Sequence, residues 1–298
     1  MAGPKFITTI KRSDGIVAIG DNSVLTIGSQ KPEVQRVSQE EDPQTRSSSQ
    51  IYCQESSGDG INYIAKSGYV LVINNSIFSG RSHVERTGSQ HDVKKLGDLF
   101  DNLNFKCRVE NNLTRSKMWD VLKDTSEKDF SKYDCFVCVI LSHGSEAGIH
   151  GTDDEVINLE AITASFRRDE CPSLEGKPKI FMIQACRGHR RDQVSVESDS
   201  EPVMYSNPSL PADADFLICF SSAPSHESYR EPSAGSWFIS AVCKVFTEYS
   251  DKEHVMDMML RVNKEVADYF SVEGLKQMPC EICMLRKKVF FCPRLNAS

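Results

Sequence analysis

Long apolar runs are missing from the 298-residue chain: no stretch approaches the roughly 18 apolar residues of a membrane-spanning helix. The start, Met1-Ala2-Gly3-Pro4-Lys5, lacks the apolar core of a signal peptide and the glycine in second place that myristoylation needs. A cytoplasmic location with no membrane partner is the expectation. An excess of positive charge is also missing. The formal net charge of −7 argues against a nucleic-acid binder, and it requires a local arginine cluster wherever an anionic substrate is to bind. There is no Gly-rich turn after the first apolar strand, where Asn74-Asn75-Ser76-Ile77 stands instead, so a nucleotide-binding α/β protein is set aside. Clustered metal ligands are absent too. Cys135/Cys138 and Cys280/Cys283 have CxxC spacing, but an offset of three on a strand sends the side chains to opposite faces. Neither a metal nor a cofactor is expected. The eleven cysteines read as free thiols in a chain with no secretory signal.

Present instead is an alternation of strands and helices. Residues 1–60 form a polar leader, expected to be disordered, with Gln30 to Gln50 rich in Ser, Gln, Glu and Arg. Within it, Ile16-Val17-Ala18-Ile19 and Val24-Leu25-Thr26-Ile27 are apolar enough to pair locally. Tyr69 to Ile73 is a continuous apolar strand. Val93, Leu96, Leu99, Phe100 and Leu103 share a helical face. Phe105 to Val109 is strand-like, and Thr114 suits the cap of a helix carrying Met118, Val121 and Leu122. Further strands are Cys135 to Leu141, Lys179 to Ile183 and Asp215 to Phe220, with a helix around Leu159 to Phe166 between the first two. Helices near Ser236 to Tyr249 and Glu253 to Phe270 precede two short strands, Ile282 to Leu285 and Lys288 to Cys292. The alternation predicts right-handed βαβ units and a mostly parallel sheet with helices on both faces.

Two strands end in reactive residues. Cys135 to Leu141 runs into Ser142-His143-Gly144, and Lys179 to Ile183 runs into Gln184-Ala185-Cys186-Arg187-Gly188. In open α/β sheets the ligand crevice lies at the carboxyl ends of the strands. If the two strands are neighbours, His143 and Cys186 emerge side by side. A thiol nucleophile needs a base and donors for a developing oxyanion. His143 can supply the base, and the N–H groups of Gly144 and Cys186 the donors.

The Gln-Ala-Cys-Arg-Gly signature with an upstream histidine is the one already described for caspases, the aspartate-specific cysteine proteases, and the chain resembles that family from about Tyr63 to Pro293. Other matching stretches are Leu71 to Asn75, Gly176 to Lys179, Ala214 to Leu217 and Gly235-Ser236-Trp237. The resemblance implies a caspase-like six-stranded sheet. It also implies a leader (1–60), a large subunit (61–199), a cleavable linker (200–214) and a small subunit (215–298). Two such units would form a homodimer through the last small-subunit strand, here Val289 to Cys292. Cys186 matches the nucleophile and His143 its acid/base partner, oriented by the backbone carbonyl of Val84. Arg86, in Arg86-Thr87-Gly88-Ser89, and Arg230, in Ser228-Tyr229-Arg230, match the substrate-reading arginines, with Gln184 completing the pocket and Trp237 beside it. Two guanidinium forks and an amide suit a short carboxylate. Each charge-assisted bond contributes about 1.5–3 kcal/mol, so aspartate is the expected residue before the scissile bond.

The partners implied are protein substrates with exposed aspartate sites, an upstream caspase and inhibitor proteins. Processing is expected after Asp199, with Asp213 as second choice and Asp192 or Asp215 as others, and after Asp59 in the leader. The loop from Asp268 to Gln277 is short, as in initiator caspases of the death-receptor branch, and this predicts tolerance of aliphatic residues at the fourth subsite. The alternative is a catalytically silent homologue acting as a regulatory binding partner.

Overall fold

Buried strands with β-branched and aromatic residues on both faces build the larger part of the molecule. The computed structural model describes residues 9–12, 15–18, 62–79, 84–188, 212–269 and 274–293. It divides into two units, Met1–Thr45 and Arg46–Ser298. In the first, Thr9–Arg12 (β1) pairs antiparallel with Gly15–Ala18 (β2). The strand predicted from Ile16 thus pairs with the segment before it, which leaves a very short loop to close; Val24 to Ile27 lies outside the described residues.

The second unit opens with Asn62–Ala65 (β3) and Gly68–Asn74 (β4), followed by helix Ser89–Asn102 (α1), Phe105–Asn111 (β5), helix Arg115–Ser126 (α2) and Cys135–Leu141 (β6). Three short strands, Gly144–Ser145 (β7), Gly148–His150 (β8) and Val156–Ile157 (β9), make a small antiparallel sheet before helix Leu159–Ala164 (α3). Then come Lys179–Gln184 (β10), Phe216–Phe220 (β11), the pair Arg230–Glu231 (β12) and Gly235–Ser236 (β13), helices Trp237–Tyr249 (α4) and Val255–Asp268 (α5), and Cys280–Cys283 (β14) and Lys288–Phe291 (β15). Thr114 caps α2 by accepting a hydrogen bond from the Lys117 N–H at 3.3 Å, as its position predicted.

The main sheet has six strands in the order β14-β11-β10-β6-β4-β5. All its pairings are parallel except that of β14 with β11. This is the α/β architecture expected from the alternation. Strand residues alternate between two apolar layers. Val70, Val72, Val137 and Val139 face α1, α4 and α5 through Leu96, Phe100, Phe238 and Val262. Leu71, Ile73, Phe136 and Ile140 face α2 and α3 through Met118, Leu122 and Ile162. Cys135 and Cys138 fall in different layers, as an offset of three demands. Burial of each such Val, Leu, Ile or Phe side chain stabilises the fold by about 1.5–3 kcal/mol.

Three expectations need correction at the C-terminal end. The first terminal strand is Cys280–Cys283, two residues earlier than predicted, because Cys280 pairs with Phe220 directly after Pro279. The second, β15, does not join the main sheet. It pairs in parallel with β3, and Phe291 is buried against Phe105 and Phe246 at 5.3 and 6.0 Å between ring centres. Val289 to Phe291 is therefore core, and the outer strand of the main sheet at this end is β14, where Ile282 is 47% exposed. Cysteines 107, 135, 138, 171, 186, 219, 243, 280 and 283 are free thiols, but Cys292 is disulfide-bonded. It stands past the end of β15, outside the packed layers that enclose Cys135, Cys138 and Cys219.

Candidate active site

Because β4, β6, β10 and β11 are parallel, their carboxyl ends lie along one border of the sheet, and the chain leaves each of them toward the same place. Strand β4 leads to Arg86, β6 to His143, β10 to Cys186 and β11 to Ser228-Tyr229-Arg230. These residues, with Ser142, Gln184 and Ala185, line one cavity of about 250 Å³.

Arg86 is the most enclosed charge in it, 2% exposed. Its Nη1 donates to the Asn75 carbonyl at 3.1 Å, and its backbone N–H to the Ser76 carbonyl at 2.8 Å. Asn75 is itself fixed, accepting from the Leu113 N–H at 2.9 Å and donating to the His150 carbonyl at 3.2 Å. Burial first, and the positive charge of Arg230 second, push the Arg86 pKa down to about 9, which leaves it cationic at neutral pH. Arg230 donates through Nε to the Thr87 carbonyl at 2.8 Å, and burial lowers its pKa as well. The two guanidiniums are thus anchored by backbone carbonyls, which are neutral, and keep their charge for the cavity.

Cys186 is half-buried at the mouth of β10. Burial pushes its thiol pKa up, and Glu227 adds to this. The Ser228 N–H, Arg86 and Arg230 oppose it. The Ser228 N–H lies 3.5 Å from Sγ. His143 Nε2 is 2.8 Å from the Val84 carbonyl. A carbonyl only accepts, so Nε2 carries the proton and Nδ1 is left as the basic nitrogen of the neutral ring. Phe78 packs on the imidazole with ring centres 4.8 Å apart. Gly144 is confined to glycine by close approach: a Cβ there would stand 2.5 Å from the Cys186 carbonyl oxygen and 2.9 Å from the Ala185 Cβ.

Behind the arginines sits a carboxylate that sequence reading passed over. Asp92, in the first turn of α1, is fully buried. Its Oδ1 accepts from the Ser236 N–H at 2.8 Å, while Oδ2 has no hydrogen-bond partner. Burial raises its pKa against the opposing pull of the Ser236 bonds, Arg86 and Lys95. Gly235 adopts φ +93°, and any Cβ on it would collide with Oδ1. The signal was there, since Asp92 stands one turn before Leu96 on the apolar stripe of α1, where a charge is out of place. Gln277 was also missed. It is buried, accepts from the Tyr229 N–H and donates to the Ser221 carbonyl, both at 2.7 Å, and so holds the arginine-bearing segment.

Not every predicted residue reaches the cavity. Trp237 lies behind it, with its ring 5.3 Å from that of Tyr229 and its Nε1 donating to Glu231 at 3.2 Å. Val84 contributes only its carbonyl, its side chain being 80% exposed. Asp213 is exposed and paired with Arg167 at 2.6 Å. Asp215, one of the alternative cleavage positions, is fully buried and gripped by Arg286 at 2.6 Å, so no protease reaches it in the folded chain. Asp59, Asp192 and Asp199 lie outside the described residues. Among the described residues there is no His/Cys/Asp/Glu cluster able to hold a metal and no helix long and apolar enough to cross a membrane.

A thiol and an imidazole that open on a cavity walled by two guanidiniums make a nucleophilic site suited to an anionic substrate. The comparisons with known proteins point the same way. The caspase-domain family matches residues 67–290. Caspase-3 of Mesocricetus auratus is 41% identical over 233 residues, covering 75% of this chain and 83% of that protein. Caspase-3 of Oryctolagus cuniculus is 40% identical over 234 residues, with the same coverage. The chain belongs to the caspase family.

Proposed function

We propose that the protein is a cysteine endopeptidase that cleaves polypeptides after aspartate, is made as a zymogen in the cytoplasm and acts in apoptosis. The observation that carries this reading is the convergence of buried Arg86 and Gln184 and half-buried Arg230 on the cavity into which Cys186 opens. The substrate aspartate would pair with both guanidiniums, which positions the scissile carbonyl over Sγ. Sγ attacks the carbonyl carbon as its proton passes to His143 Nδ1. The tetrahedral oxyanion is held by the N–H groups of Gly144 and Cys186. Collapse to the thioester expels the amine, which takes the proton from His143, and water then releases the acid and the free thiol. A raised thiol pKa fits a site in which deprotonation accompanies attack.

Tyr229 also walls a second cavity of about 510 Å³, with His226, Glu227, Leu275, Gln277 and Met278. Residues preceding the aspartate would lie there, beside the short loop after α5, and aliphatic ones suit it. Activation follows from cutting between the two subunit segments, after Asp199 or the exposed Asp213. The active form is a homodimer of large and small subunits. A positional-scanning tetrapeptide screen on the recombinant enzyme tests the reading, and loss of selectivity for aspartate before the cut would remove it. Failure of an aspartyl fluoromethyl ketone to label Cys186 would favour the silent homologue instead.

A further inference from the structure

Outside the catalytic unit the described structure consists of β1 and β2, in a register that sets Ile10 opposite Val17 and Lys11 opposite Ile16. Among the described residues they form a sheet of two strands, within the unit Met1–Thr45. A ribbon of two strands is marginal in water, and no other described strand covers either of its edges, each of which carries backbone groups able to pair. Proteins blunt such edges with proline, lysine or net charge. Here β1 carries Lys11 and Arg12, which is such a defence, whereas β2, Gly15-Ile16-Val17-Ala18, carries none. From Phe6 to Gln30 there is no proline, and Lys11 and Arg12 are balanced by Asp14 and Asp21. The stretch from Gly15 to Gln30 contains a single charge, Asp21, among two apolar runs that both end in Ile-Gly, at Ile19-Gly20 and Ile27-Gly28. High β-propensity with low charge and no proline is the composition of segments that stack strand upon identical strand.

We propose that β2 is a homotypic assembly site, at which a second copy of this chain adds its own Gly15–Ala18 strand to the open edge. Identical strands in register place Ile16 on Ile16 and Val17 on Val17, with no like charges to oppose the stack. A foreign strand brings no such match, and β1 would stack its cations. Given the peptidase reading above, assembly would gather zymogens at an effective concentration of about millimolar, so that one chain's linker comes within reach of another chain's Cys186.

The test uses the full-length Cys186→Ala chain, in which self-cleavage is silenced, followed by sedimentation velocity and thioflavin T fluorescence. Assemblies larger than a dimer that bind the dye are expected. Val17→Pro, which removes a ladder donor, and Ile16→Asp, which stacks like charges, should each abolish them, and Val17→Ile should retain them. A parent chain that stays a monomer or dimer, or assembly undiminished in both disrupting variants, would overturn the proposal. Neither readout involves substrate turnover, so the result stands apart from that of the peptidase tests.

Discussion

Asp92 and Asp215 are both fully buried carboxylates, yet their surroundings shift their pKa values in opposite directions, up at Asp92 and down at Asp215. At Asp215 burial raises the pKa, but the Arg286 and Tyr63 hydrogen bonds outweigh it and the net shift is downward. Arg286 donates to both carboxylate oxygens, at 3.0 and 2.6 Å, and reaches Tyr63 at 3.0 Å. At Asp92 burial wins, because one oxygen is unpartnered and its cationic neighbours, Arg86 and Lys95, are bonded to other groups. The difference separates scaffold from site. The first cluster is closed upon itself and joins β3 to the start of β11 and to the chain beyond β14. The second is left short of partners, so its arginines can take an anion from outside.

The largest effect should come from the thiol. Cys186→Ala should bring peptide hydrolysis to background while the fold survives, since a small residue replaces a small one at a strand end. More than about a tenth of wild-type kcat/KM remaining would remove Cys186 from the chemistry. Next, Arg286→Ala should destabilise the fold by about 1.5–3 kcal/mol in denaturant unfolding, because it leaves the buried Asp215 carboxylate with only its Tyr63 bond, a cost moderated by the exposure of Arg286 to water. The kcat/KM of the folded fraction should stay near wild type; a large fall there would mean that the two clusters are not separable.

Arg86→Ala should do the reverse. A loss of about 2 kcal/mol in transition-state stabilisation, roughly thirtyfold in kcat/KM, is expected for an aspartyl peptide. The smallest effect sharpens the comparison most. Asp92→Asn keeps an acceptor for the Ser236 N–H but removes the charge that offsets repulsion between Arg86 and Arg230. KM should rise about fivefold, near 1 kcal/mol, with kcat little changed. Stability should move the other way. A carboxyl whose folded pKa is raised opposes folding above its unfolded value of about 3.9. The variant should therefore gain on wild type at neutral pH, and the gain should shrink as pH falls through the raised value. For Asp215 the sign is opposite: its contribution is present above about pH 3.9 and fades below it, as the lowered folded pKa is approached. A KM that is unchanged or lower in Asp92→Asn would refute the role given to Asp92.

Much of the fold was legible because its strands are buried on both faces. Runs such as Cys135 to Leu141 declare themselves, and their ends placed Cys186 and His143 on one border of the sheet. The cavity arginines were legible only through the family signature, since an isolated arginine in a loop carries no periodicity. What sequence pattern missed was set by tertiary contact. Phe291 chose β3 and the aromatic core over the sheet edge, Gln277 found its partners 48 and 56 residues away, and Asp215 was hidden by a guanidinium from beyond β14. Asp92 is the exception, a charge on an apolar stripe that local pattern did expose.

The central claim is that Arg86 and Arg230 form a preorganised receptor for one short carboxylate. It is tested most directly by kcat/KM on matched peptides that differ only in aspartate or asparagine before the scissile bond. Asparagine is nearly isosteric with aspartate but leaves both guanidiniums without a counter-charge. The account predicts that aspartate wins by about 2–5 kcal/mol, at least roughly thirtyfold. Cleavage of the asparagine peptide within about threefold of the aspartate peptide would contradict it.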